Sequence, residues 1–277
     1  MSVTGKRMRK NPHGWMLAAV LLLAAAGLLA VHSHQTAAVP PEEPAQEEPP
    51  VMVIPAEPAL PEDPVEEEPA PEEPWRPVAE SAPVDDSYFD DAVFIGDSRT
   101  VGMYEYGGLE ETSTFYASTG LTIYKMFDSR IVAVPGQKKK ITVEEALSEK
   151  QFAKIYLMIG INEMGTGTVE SFMKAYGEAV QHLQQLQPDA VIYLQAIMKV
   201  TTERSGQGDY ITNEGIEARN EEIAKLADDE KIYYLDVNPL ICDETGGMVA
   251  SYTYDGVHLK AQYIPIWLDF LKEHAVE

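Results

Sequence analysis

Fourteen of the 19 prolines lie in residues 40–83, where Glu-Glu-Pro recurs from Glu42, Glu47, Glu67 and Glu72. Proline removes a backbone donor and clustered glutamates repel one another, so this stretch can build no packed core. A compact fold is therefore confined to residues 86–277, a length suited to one α/β domain. Residues 32–85 read as a disordered tether. At ~3.1 Å per residue it could extend ~170 Å.

Ahead of the tether, Lys6, Arg7, Arg9 and Lys10 precede residues 15–31, which carry no charge. As a helix that run is ~26 Å long, marginal for a hydrocarbon core of ~30 Å. The basic flank predicts a cytoplasmic tail over 1–14, a transmembrane signal anchor over 15–31, and a single-pass chain whose folded domain lies outside. The alternative is a cleaved signal peptide and a secreted domain. Its apolar core usually spans ~7–15 residues, however, and Leu28-Leu29-Ala30 is a poor small-x-small cleavage site. No cysteine follows the run, which excludes a lipoprotein anchor.

The net charge is -24, of which -16 falls in residues 85–277. A domain this acidic repels phosphate backbones, which argues against nucleic acid as a partner. The single cysteine, Cys242, excludes an intrachain disulfide and a cysteine-based metal cluster; it is expected to be a small buried apolar residue.

From residue 86 onward, short runs rich in Val, Ile and Tyr alternate with helical patterns. Candidate strands are 92–95, 113–117, 154–159, 191–197 and 232–235. Their crossover-length spacing predicts a parallel sheet with helices on both faces. Thr142-Val143-Glu144-Glu145 is a capping box. Val169, Phe172, Met173, Tyr176, Val180, Leu183 and Leu186 form one helical stripe that Pro188 ends. Further helices are expected over 216–228 and 259–274.

In a parallel sheet the functional edge lies beyond the C-terminal ends of the strands. Ser98 follows the first strand in Gly96-Asp97-Ser98, Gly120 follows the second, and Asn162 follows the third in Gly160-Ile161-Asn162-Glu163. A serine nucleophile needs a base. Of the six histidines, His13, His32 and His34 lie in the anchor or tether, His182 in a long amphipathic helix, and His274 at a helix end suited to capping carbonyls. His258 alone precedes a helix with a carboxylate, Asp255, three residues before it, able to orient the imidazole. The backbone N–H groups of Ser98 and Gly120 and the amide of Asn162 are candidate oxyanion donors. Each piece also has a bland reading as a turn or cap residue; their order after successive strands points to ester chemistry. No Gly-x-Ser-x-Gly elbow, P-loop, dinucleotide fingerprint or zinc-binding His-Glu-x-x-His is present, and neither cofactor nor metal is expected.

These blocks resemble the SGNH, or GDSL-type, hydrolase family: Phe94-Ile95-Gly96-Asp97-Ser98, Gly120, Gly160-Ile161-Asn162-Glu163, and Asp255-Gly256-Val257-His258. The resemblance covers about residues 86–277. It implies a flavodoxin-like three-layer α/β/α sandwich with a five-stranded parallel sheet, and esterase or acylhydrolase activity through an acyl-serine. It also implies that Ser98 is the nucleophile, His258 the base, Asp255 its orienter, and Ser98, Gly120 and Asn162 the oxyanion hole. Two departures are visible. Glu163 stands where the family often has aspartate, and Arg99 rather than leucine follows the serine.

The anchor and tether favour an O-acylated, chiefly O-acetylated, carbohydrate of the cell envelope as substrate. An acyltransferase with the same triad, or a non-catalytic surface-binding module, remains an alternative. The loop over 201–211 follows the fourth strand and is expected either to border the site or to be an ordinary flexible loop.

Overall fold

The computed structural model of the chain describes residues 78–276. The cytoplasmic tail 1–14, the signal anchor 15–31 and the tether up to residue 77 lie outside the described residues. Among the described residues, no helix is long and apolar enough to cross a membrane.

In chain order the elements are β1 (Ala92–Gly96), α1 (Ser98–Tyr106), β2 (Thr114–Ala117), α2 (Val143–Glu149), β3 (Lys154–Met158), α3 (Val169–Leu186), β4 (Val191–Gln195), α4 (Thr202–Ser205), α5 (Asn213–Ala224), β5 (Ile232–Leu235), α6 (Asn238–Ile241) and α7 (Ile264–Glu273). The five strands form one parallel sheet in the order β2-β1-β3-β4-β5. This is the expected three-layer α/β fold. The chain passes from β1 to β2 on one side and then crosses back to place β3 on the other side of β1, so the topological switch point lies at the C-terminal end of β1.

Period-two alternation divides the core. Val93, Ile95, Ile155, Leu157, Ile192 and Leu194 face α2, α3 and α5. Phe94, Tyr156, Met158 and Tyr193 face α1 and α7. On this second face one aromatic from each strand stands in register: Phe115, Phe94, Tyr156, Tyr193 and Tyr233. Neighbouring ring centroids are 4.8, 4.8, 4.5 and 5.9 Å apart. Such pairs contribute ~0.5–1.5 kcal/mol each beyond area burial, and here they hold the register across all five strands.

The helix signals act as their chemistry predicts. Thr142 Oγ1 accepts from Glu145 N at 3.0 Å, and Thr142 N donates to the Glu145 carboxylate at 2.7 Å. Phe172, Tyr176, Val180 and Leu183 of α3 are buried. His274 caps as expected, with Nδ1 2.7 Å from the Phe270 carbonyl.

Several expectations need correction. The strand expected over 191–197 ends at Gln195 because the chain turns there toward Asn220, whose side chain bonds both backbone groups of Ile197. The helix expected over 216–228 runs from Asn213 to Ala224; Thr212 caps its start, and the Asp228 carboxylate instead accepts from three backbone N–H groups of a turn. The helix expected from 259 begins at Ile264, since Leu259 bridges Thr253 and Lys260 N donates to the Tyr252 carbonyl. Residues 81–84, assigned to the tether, are pinned to α7 by Ser81 N and Val84 N on the carbonyls of Glu273 and Lys272. Cys242 is half-buried rather than buried, and desolvation pushes its thiol up to about 11.

Gly96 ends β1 where a β-carbon would collide with the Met158 carbonyl and the Thr100 hydroxyl. Gly96→Ala should therefore destabilise the fold by roughly 1–3 kcal/mol as an overpacking change. The check is a urea melt showing a lower midpoint at unchanged slope.

Candidate active site

Ser98 is the first residue of α1, immediately beyond the sheet edge, and Asp97 caps the helix by accepting from Arg99 N at 2.9 Å. This strand-to-helix turn presents a half-buried Ser98 at the switch point. Ser98 Oγ lies 2.8 Å from His258 Nε2, and His258 Nδ1 lies 2.7 Å from Asp255 Oδ2. With Nδ1–H donating to Asp255, Nε2 is free to accept the serine proton. Residues 160 apart in sequence thus complete one hydrogen-bond chain.

The Asp255–His258 turn is preorganised. Asp255 Oδ1 accepts from Val257 N and His258 N, each at 2.9 Å, and from Thr253 Oγ1 at 3.1 Å. Partial burial pushes the Asp255 carboxyl up. Hydrogen bonds from the His258 backbone and side chain and from Val257 N outweigh this and hold it well below the usual carboxylate range. The acid that orients His258 therefore stays ionised through any ordinary working pH. Gly256 has φ +81°, and a β-carbon there would press into Thr201 and Arg204. Thr201 N also donates to the Gly256 carbonyl at 2.9 Å. The 201–211 segment therefore buttresses the histidine turn. It is not a plain loop either, since α4 and a bidentate Arg204–Asp209 pair at 3.0 and 2.9 Å order it.

Gly120 occupies the third position of a turn in which Leu121 N donates to the Ser118 carbonyl at 3.1 Å. Its φ of +76° is what demands glycine, because a β-carbon would meet no protein atom within 4 Å. Ser118 N donates to the Gly96 carbonyl at 3.1 Å, tying this turn to the end of β1. Asn162 lies in a short 3-10 turn after β3, and its Nδ2 donates to the Leu121 carbonyl at 3.0 Å. One amide hydrogen thus anchors Asn162 to the Gly120 turn; the other remains for an incoming oxygen. Ser98 follows the end of β1, the Gly120 turn is tied to that same end through Ser118 N, and Asn162 is bonded to that turn.

Two further residues shape the site. Glu163 is fully buried, and one carboxylate oxygen accepts from Ile123 N while Oε2 has no partner. Desolvation, reinforced by the Asp97 charge, pushes it up to about 7 against the pull of the Ile123 N–H and Arg219. It clamps the segment after Gly120 onto the segment bearing Asn162. Arg99 is buried at 3% exposure, and its Nε donates to the Val257 carbonyl at 3.3 Å beneath the histidine turn. Desolvation lowers its pKa, opposed by Asp97 and Asp255. Both were visible as departures from the resemblance, but nothing local in the sequence announces their burial.

Among the described residues, no group of three or more His, Cys, Asp or Glu side chains is placed to hold a metal ion. A hollow of about 270 Å³ lined by Lys199, Asp236, Asn238 and Cys242 includes none of the five candidate residues. The hydrogen-bond chain, rather than cavity size, locates the chemistry.

Residues 94–262 match the model of the GDSL-like Lipase/Acylhydrolase family. No curated protein matches the chain. Among solved structures, a Streptococcus pneumonia protein provisionally described as a platelet activating factor is 22% identical, with a TM-score of 0.53 over 68% of this chain and 88% of that one. A Bacteroides fragilis NCTC 9343 protein provisionally described as an acylhydrolase is 15% identical, with a TM-score of 0.50 over 65% and 83%. A Desulfitobacterium hafniense DCB-2 protein provisionally described as a lipolytic protein of the G-D-S-L family is 14% identical, with a TM-score of 0.50 over 66% and 98%. At these identities the likeness establishes a shared fold.

Glu163 carries a testable energetic signature. Its folded pKa lies above its unfolded value, so the native state binds the extra proton and stability falls as pH rises from ~4.3 through about 7. A shift from 4.5 to about 7 corresponds to about 3 kcal/mol. Glu163→Gln keeps an acceptor for Ile123 N and removes the titration. Between about pH 4 and about pH 8, the wild-type unfolding free energy should drop more than that of Glu163→Gln by this amount. Parallel denaturation profiles would show that Glu163 titrates normally.

Proposed function

The chain belongs to the GDSL-like lipase/acylhydrolase family and is a carboxylic ester hydrolase, and on that premise we propose that it is a serine esterase removing O-acyl, chiefly O-acetyl, groups from a cell-envelope polysaccharide. The observation that carries the catalytic assignment is the unbroken chain Ser98 Oγ–His258 Nε2 and His258 Nδ1–Asp255 Oδ2.

In this reading Ser98 Oγ attacks the ester carbonyl carbon while His258 Nε2 takes its proton. The tetrahedral oxyanion is met by the N–H groups of Ser98 and Gly120 and by the remaining Asn162 amide hydrogen. Such donors act where charge develops, and losing one typically costs ~2.7–4 kcal/mol of barrier. The intermediate collapses as the sugar oxygen leaves with the proton from His258. Water, deprotonated by the same nitrogen, then releases the acid and restores Ser98. Asp255 stays ionised throughout and holds the imidazole in the required tautomer.

The substrate class rests on placement. The basic tail, apolar run and proline-rich tether of the sequence support an anchored, extracytoplasmic domain standing off from a membrane. An immobile O-acetylated glycan suits an enzyme held at a distance on a tether.

Purified full-length protein should hydrolyse p-nitrophenyl acetate and release acetate from O-acetylated envelope glycan. Ser98→Ala should abolish both, and Asp255→Asn should lower kcat by ~10⁴-fold, by analogy with loss of the orienting acid in other triads. Retention of wild-type rates in Ser98→Ala would sink the acyl-serine mechanism. Ester hydrolysis without acetate release from the glycan would sink the substrate assignment alone.

A further inference from the structure

A small cavity of about 20 Å³ lies against the catalytic pair, with Ser98, Arg99, His258, Gly102, Met198, Ile264 and Trp267 in its lining. Met198, Ile264 and Trp267 are each no more than 2% exposed. Trp267 is locked by its Nε1 donating to Gln195 Oε1 at 2.7 Å. The space is thus apolar along much of its wall, pre-formed, and fixed by side chains of the core. A space this small suits a small group rather than a long chain.

Gly102 helps to keep the space open on its Ile264 side. It stands one turn after Ser98 on α1 and therefore on the same helix face. Glycine is a poorer helix former than alanine. Nothing in the fold requires glycine here: its backbone is helical, and a β-carbon would have the Ile264 Cδ1 at 3.8 Å as its nearest neighbour, an ordinary contact. An alanine would fit the fold and narrow the cavity on its Ile264 side.

We propose that this cavity is the acyl pocket, and that Gly102, Met198 and Ile264 restrict the enzyme to two-carbon acyl groups. The inference rests on the acyl-serine reading above. Once Ser98 Oγ has bonded to the carbonyl carbon, the methyl of an acetyl group occupies the space beside Ser98. A butyryl chain adds two methylenes for which the locked walls leave no room. Gly102 and the two apolar side chains are thus specificity determinants for the leaving acid, independent of the alcohol side of the ester.

The test compares kcat/KM for p-nitrophenyl acetate, butyrate and hexanoate in full-length wild type, Ser98→Ala, Gly102→Ala and Met198→Ala. Wild type should prefer acetate over butyrate by at least ~10-fold, the low end of what one methylene is worth in an apolar pocket. Gly102→Ala should lower acetate turnover by ~10-fold or more, with a Tm no lower than wild type, because alanine favours the helix. Met198→Ala should move the acetate-to-butyrate ratio toward butyrate by ~10-fold. Equal Ser98-dependent turnover of acetate and butyrate by wild type would overturn the pocket and leave the esterase standing. So would unchanged acetate turnover in Gly102→Ala, the result expected if the cavity merely houses a structural water. Absence of Ser98-dependent hydrolysis for every ester would overturn the acyl-serine reading and the pocket with it.

Discussion

At Gly96 the backbone of β1 lies so close to the Met158 carbonyl and the Thr100 side chain that no β-carbon fits. That close approach sets the height of Ser98 above the sheet, because only Asp97 separates the strand from α1. On either side of the same point, the turn carrying Gly120 is bound to the Gly96 carbonyl through Ser118 N, and β3 runs in register into the segment carrying Asn162. A wider spacing would raise the nucleophile relative to its candidate oxyanion donors. Preorganisation at the site therefore begins as a packing constraint in the sheet.

The two halves of the site are held by different physics. The histidine turn is surface structure: the Asp255 side chain is 54% exposed, and its position comes from hydrogen bonds of its own loop plus the support of Thr201 and Arg204. The Gly120–Asn162 half is anchored from below by Glu163, a carboxylate buried with only one of its oxygens satisfied. A buried, half-satisfied acid costs stability. Here it joins the segment after Gly120 to the segment bearing Asn162, and strongly perturbed acids of this kind are common at functional sites.

Much of this was legible without coordinates. Ser98, Gly120 and Asn162 each follow a short apolar strand, and a parallel sheet sends all such strand ends to one edge whatever their sequence separation. His258 stood out because Asp255 precedes it at a spacing that lets one turn hold both. Glu163 and Arg99 were visible only as unusual letters. Whether a charged side chain is buried depends on segments 40 to 158 residues away, such as Ile123 over Glu163 and Val257 over Arg99. The starts of α5 and α7 were misplaced for a related reason: local caps and isolated bridges, rather than hydrophobic periodicity, decide where those helices begin.

The sequence by itself determined the class of fold, the edge on which chemistry occurs and the residue types available there, because periodicity and strand-end placement are local properties of the chain. The tertiary structure decided what those residues can do. It closed the hydrogen-bond chain across 160 residues, spent one of the Asn162 amide hydrogens on Leu121, and left a cavity the size of a single small group beside Ser98. Distances of that kind arise from the packing of α1, α7 and the loop after β4 against one sheet, and no stretch of sequence encodes them alone.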